Sequence, residues 1–293
     1  MLFTTSLLWG SAYAYRKMAL LYMGPFFFNV YRFFLSFLIL FAIYLLIEKI
    51  RKGRGKAGGM LKPVAWQVKR GMLLGLFFSV AVTLQQLGMI TSDAGKCGFI
   101  SSLYIFFIPI ISWFVLRRHI SAKIWAGAVI VVIGLFFISM GSSFDIIIGD
   151  VLYITAAVFF AVQIILIGNF TPYSNPLLLT SMQMLVCSTL NTVLAFIFER
   201  GDAFIIPAAA IWPIIYTGIF TIATGNLLQF IAQKKASPPI AAIILSLESV
   251  FAAIFAAIII SERMNIPQIT GCGLIFLAII ISQVEFKPKR IEK

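Results

Sequence analysis

Ten runs of roughly twenty predominantly apolar residues follow one another along the 293-residue chain. They cover about 2–20, 25–47, 71–90, 94–116, 121–140, 149–168, 176–198, 210–231, 238–260 and 266–284. At about 1.5 Å of rise per residue, each is long enough to cross a hydrocarbon core of about 30 Å. Lipid offers no partner to a free N–H or C=O, so only helices or closed barrels can span it. The runs lack the period-two alternation of barrel strands. The expected fold is therefore an all-α polytopic membrane protein with ten transmembrane helices. Composition agrees, because 61% hydrophobic and 11% charged residues cannot clothe a soluble protein of this size. The breaks carry glycine, proline or charge, as at Gly24-Pro25, Asn175-Pro176 and Pro238-Pro239. Pro109 and Pro213 fall inside runs and are expected to kink them.

The first run has no basic segment before it, and Arg16 and Lys17 come after its apolar part. It reads as a retained helix rather than a cleaved leader. With the N-terminus inside, seventeen of the 23 Lys and Arg residues fall on the cytoplasmic side. Eight of these lie between Lys49 and Arg70; others are Arg117, Arg118, Lys123, Lys234, Lys235 and the tail bases Lys287, Lys289, Arg290 and Lys293. The outer side receives Arg16, Lys17, Lys96, Arg200 and Arg263, together with Asp93, Asp145, Asp150, Glu199, Asp202 and Glu262. Both termini are thus expected in the cytoplasm. The net charge of +13 reports this topology and not a nucleic-acid partner. Cys97, Cys187 and Cys272 all sit in or beside apolar runs, without a CxxC pair, and read as small packing residues.

The chain also repeats itself. Pro25 and Arg32 match Pro176 and Gln183 at an offset of 151 residues. Beyond the long basic segment the offset becomes 144, which pairs Gln85 with Gln229, Gly127 with Gly271 and Tyr104 with Glu248. Five helices is an odd number, so two successive five-helix halves, 1–147 and 148–293, must enter the membrane with opposite polarity. That is an inverted repeat, the arrangement of many carriers that alternate access around a midplane site.

Polar groups inside spans are costly and are candidates for a pathway lining. Those chosen as cargo contacts are Trp9, Tyr13, Gln85, Tyr104, Gln163, Asn226, Gln229 and Glu248. Rings with amides and hydroxyls suit small, partly apolar, zwitterionic solutes. Glu248 is the lone charge in the run 240–260. It can contact a substrate ammonium, switch by taking up a proton, or bond to a neighbouring helix as structural glue. Arg32 is expected to act as a gating or structural residue, a latch to a partner helix or a cation snorkelling outward, with binding of a carboxylate as the alternative. Gly71-Met-Leu-Leu-Gly75 is a GxxxG packing signal.

The stretch LSLESVFAAIFAAIIISERMNIPQITGCGLIFLAI, 245–279, closely resembles the C-terminal signature of EamA-type transporters of the drug/metabolite transporter superfamily. The matching positions are Glu248, Glu262-Arg263 and Gly271. LLWGSAYAYRKMAL resembles the family's Trp-Gly first helix, and VYRFFLSFLIL its Arg-bearing second. Ser249 stands where the family often has proline, so a weaker kink is expected there. Arg118-His119 replaces a common Glu-Arg pair. The resemblance implies a secondary transporter of small metabolites or drugs in the bacterial inner membrane, often an exporter, with amino acids among known cargoes. Protons are a candidate coupling ion. No cofactor and no metal is expected. A non-transporting membrane scaffold is the alternative. Enzyme chemistry has little to work with: one histidine, His119, and no HExxH, GxSxG or P-loop pattern.

Overall fold

The computed structural model describes residues 1–53, 61–91, 100–117, 119–139, 147–199, 206–259 and 266–283. Several charges used above lie outside these residues: Arg54, Lys56, Asp93, Lys96, Arg118, Asp145, Arg200, Asp202, Glu262, Arg263 and the tail bases. So does Cys97.

The described chain is helical and holds no strand. Its elements are α1 (Leu2–Ala19), α2 (Pro25–Gly53), α3 (Val64–Thr91), α4 (Tyr104–Phe114), α5 (Ala122–Ser139), α6 (Ile148–Phe170) and α7 (Pro176–Phe198). There follow α8 (Ala208–Tyr216), a π-helix (Thr217–Gly225), α9 (Asn226–Ala232), α10 (Pro238–Leu245), α11 (Leu247–Ile259) and α12 (Ile266–Gln283). Six stretches have the length and apolarity to cross a membrane: Pro25–Arg51, Val64–Thr91, Ile148–Tyr173, Pro176–Phe198, Ala208–Ala232 and Pro238–Phe255. Shorter apolar helices cover Tyr104–Phe114, Ala122–Ile138 and Ile266–Ser282.

Two helices depart from regular geometry, and both departures face the protein centre. Pro213 lacks an N–H and breaks the α-ladder four residues before the π-helix begins. The widened turns present carbonyls sideways, and neighbouring helices use them. Thr5 donates to the Gly225 carbonyl (3.1 Å), Trp9 Nε1 to Thr221 (3.2 Å) and Ser36 to Gly218 (2.6 Å). The second departure separates α10 from α11 at Ser246, whose hydroxyl donates back to the Ile243 carbonyl at 2.7 Å. The break therefore forms without a proline at position 249, where Ser249 N–H donates to the Ser246 carbonyl at 3.2 Å.

Packing is closest where glycines let backbones meet. The principal pairs are α2 with α7, α5 with α12, α3 with both α6 and α7, and α1 with α11. The GxxxG pair faces α7: a Cβ on Gly71 would lie 2.6 Å from Met182 Cβ, and one on Gly75 would lie 2.7 Å from Val186 Cβ. Gly10 meets α11 in the same way, 2.6 Å from the Glu248 carbonyl. Gly134 and Gly271 face each other across α5 and α12, each blocking a side chain on the other. Cys187 is fully buried with a free thiol. Two charges near the ends of their runs are buried against other helices. Arg16 is 7% exposed, and Asp150 is 2% exposed, accepting from the Ile147 N–H at 3.0 Å.

Gly75→Val forces the α3 and α7 backbones apart. The expected cost is about 1–3 kcal/mol, read as a smaller monodisperse fraction after detergent extraction than wild type gives.

Candidate functional site

A cavity lies among α1, α2, α3, α4, α6, the π-helix, α9 and α11, with about 600 Å³ free of protein atoms when the solvent at its open side is included. The first turns of α11 bring Glu248 to it, because the break at Ser246 re-aims the helix and Gly10 lets α1 lie against it. Trp9 reaches it from α1, held by its bond to Thr221 and packed against Gly225.

Seven of the eight expected cargo contacts line this cavity: Trp9, Tyr13, Gln85, Tyr104, Gln163, Asn226 and Glu248. The eighth, Gln229, is fully buried one turn below Asn226, and neither of its amide atoms finds a hydrogen-bond partner among the described residues. Arg32 also lines the cavity and is 2% exposed, so it does not snorkel. Its Nε donates to Asn29 Oδ1 at 3.0 Å, and its guanidinium carbon lies 5.0 and 4.8 Å from the Phe28 and Phe33 ring centres.

The residue that sequence reasoning missed is Arg16. Its Nε and Nη2 donate to Gln86 Oε1 at 3.1 and 2.7 Å, and its Nη1 to Gln85 Oε1 at 2.8 Å. Gln85 in turn donates to Ser101 Oγ at 2.5 Å. Tyr13 lies under the guanidinium, 5.6 Å from ring centre to carbon. The signal was present in helix spacing: Arg16 follows Trp9 and Tyr13 by seven and three residues and shares their face. Its place near the end of its run gives it the look of a flanking charge.

Among the described residues no carboxylate comes within 4.0 Å of either cavity guanidinium, and the ion pair found is the surface contact Arg51–Glu48 at 3.0 Å. Among the described residues Glu248 accepts a long hydrogen bond from Ser102 Oγ, 3.5 Å. Among the described residues Tyr104 OH, Thr221 Oγ1 and Asn226 Oδ1 find no hydrogen-bond partner. The cavity therefore joins two guanidinium groups, one carboxyl and several unsatisfied polar atoms to a wall of aromatic rings. No group of three metal-ligating side chains occurs among the described residues.

The EamA-like transporter family model matches residues 1–140 and 147–283. The chain belongs to the EamA-like transporter family. An uncharacterised transporter of Archaeoglobus fulgidus is 32% identical over 276 residues, spanning 94% of this chain and 82% of that protein. A solved crystal structure superposes with a TM-score of 0.76 at 15% identity, covering 96% of this chain and 95% of the other, and shows a shared fold. Membership makes the chain a multi-pass membrane protein with a transport role, and directs the reading of the cavity towards a small-molecule cargo and away from catalysis.

Trp9→Phe keeps the ring wall and removes the donor to Thr221. It is expected to cost about 1 kcal/mol, seen as a lower unfolding temperature of the detergent-solubilised protein.

Proposed function

We propose that this protein is a secondary transporter, working as an exporter of small zwitterionic metabolites such as amino acids. It operates by alternating access around the central cavity. Two antiparallel five-helix repeats, 1–147 and 148–293, rock against each other in the cell membrane, the bacterial inner membrane by the family resemblance. Both termini are cytoplasmic, the orientation that keeps the basic segment after α2 inside.

One observation carries the reading. At the offsets of 151 and 144 residues, twelve of the seventeen cavity-lining residues fall into six related pairs. These are Trp9 with Phe160, Ala12 with Gln163, Tyr13 with Ile164, Phe78 with Ile222, Val82 with Asn226 and Tyr104 with Glu248. A cavity built twice over from equivalent positions sits astride the pseudo-dyad. Such a site can open to either side at similar energy. The helix packing agrees. The pairs α2–α7 and α5–α12 join helices equivalent in the repeat, and the contact of Gly127 with Ala278 maps onto that of Gly271 with Gly134.

In this scheme a cavity guanidinium receives the cargo carboxylate and Glu248 its ammonium. When the cargo leaves, Glu248 is free to take up a proton, which couples export to the proton gradient. Aromatic walls take the apolar part.

Purified protein in liposomes is expected to exchange labelled amino acids against an internal pool. Glu248→Gln should retain fold and exchange but lose the pH dependence of net flux. A panel of metabolites with no flux at all leaves a non-transporting scaffold; pH dependence intact in Glu248→Gln removes the proton role.

A further inference from the structure

We infer that Arg16 is the carboxylate anchor of the cargo site, so that the carrier requires a free carboxylate on what it moves; this rests on the transport reading above. The five lining residues whose equivalents in the repeat do not line the cavity are Arg16, Arg32, Gln85, Ser101 and Thr221. Three of them, Arg16, Gln85 and Ser101, form one hydrogen-bonded chain. The paired positions make the moving frame, which both repeats must share. The unpaired chain belongs to one repeat and is free to be specific. Arg16 has five N–H donors, and three are taken by neutral amide oxygens. Two donors remain on a cation that is 7% exposed and has no carboxylate within 4.0 Å among the described residues. A buried cation with only neutral partners is stabilised when an anion joins it, and two guanidinium donors match the two oxygens of a carboxylate. Arg32 is held differently, with Nε on Asn29 and its carbon between two rings.

The test compares each amino acid with its amide in liposome exchange. Wild type should carry acids at least about tenfold faster than amides. Arg16→Gln should bring that ratio close to one while amide exchange persists. Gln86→Met leaves the charge but removes its orienting acceptor, and should raise KM for the acid with kcat unchanged. An unchanged acid-to-amide ratio in a folded Arg16→Gln protein overturns the anchor. Absence of exchange by wild type instead overturns the transport reading.

A separate observation concerns one end of the α2–α7 pair. Pro25 has no N–H and Gly24 no side chain, so α2 begins without a cap of its own. Its first two amides, Phe26 and Phe27, donate to Glu199 Oε1 and Oε2 at 2.7 and 2.8 Å, from the end of α7. Any Cβ on Gly24 would collide with that carboxylate. Phe26, Phe27 and Ala195 are buried together there, and Phe198 stacks on Phe26 at 5.7 Å. The residues equivalent to Gly24 and Glu199 are Asn175 and Glu48. They do not repeat the contact: Asn175 caps its own helix through Leu177 N–H at 3.0 Å, and Glu48 pairs with Arg51. From Phe41 to Ile50 no residue of α2 is buried. We propose that Glu199 is a latch across the repeats, present at the outer end only, which rests the carrier with that end shut.

A cysteine replacing Ala12 in the cavity, in a protein without native cysteines, reports access to a membrane-impermeant maleimide from either face of sealed vesicles. Glu199→Ala should speed outer-face labelling by about fivefold or more. Gly24→Asn should do the same while giving α2 a cap like Asn175, which separates latching from helix stability. Glu48→Ala should change nothing. No gain from the outer face in folded Glu199→Ala and Gly24→Asn, or an equal gain in Glu48→Ala, overturns the latch. Labelling in wild type that never depends on the face overturns alternating access itself.

Discussion

Two guanidinium groups stand inside an apolar helix bundle, and the neighbouring architecture keeps them there. Hydrocarbon cannot solvate a cation, so each needs partners supplied by the protein. Arg32 takes them from Asn29 and two phenylalanine faces, and Arg16 from Gln85 and Gln86. These supports come from α1, α2 and α3. The remaining helices add a surface of rings, amides and one carboxyl. Close glycine contacts at Gly10, Gly71 and Gly75 hold the walls near enough to exclude lipid.

The irregular helices serve the same end. A straight α-helix spends its carbonyls on itself. The π-helix after Pro213 and the break at Ser246 release some of them or re-aim the chain, and side chains of α1 and α2 bond to what is released. Three such bonds tie the first half of the chain to the π-helix. Irregular backbone at membrane depth is tolerated because it is buried in protein beside a cavity.

The proposed repeat divides the cavity into shared and private parts. Related positions such as Tyr104 and Glu248 differ in chemistry while holding equivalent places. The positions equivalent to Arg16, Gln85 and Ser101 are Ile167, Gln229 and Leu245, which do not line the cavity and hold no charge. A carrier built on a dyad needs the first class of residue to move and the second to choose.

Much of the fold was legible in the chain. The apolar runs, the GxxxG contact and the family resemblance all follow from local pattern, and lipid makes that pattern binding because a spanning segment has few alternatives. Trp9, Tyr13, Gln85, Tyr104, Gln163, Asn226 and Glu248 were legible as cavity-lining residues because a polar group in a span stands out against its neighbours. Arg16 was not, since a base near the end of a run looks like a topological charge until a second helix is placed beside it. Gln229 is marked by the same polarity, but it lies one turn beyond Asn226 and outside the cavity lining. The sequence by itself determined the membrane helices and their polar inventory, because hydrophobic length is a property of the single segment. Only the tertiary structure decided which polar groups meet, which carbonyls are freed and which end of α2 is capped. Those depend on the rotation and approach of helices far apart in the chain.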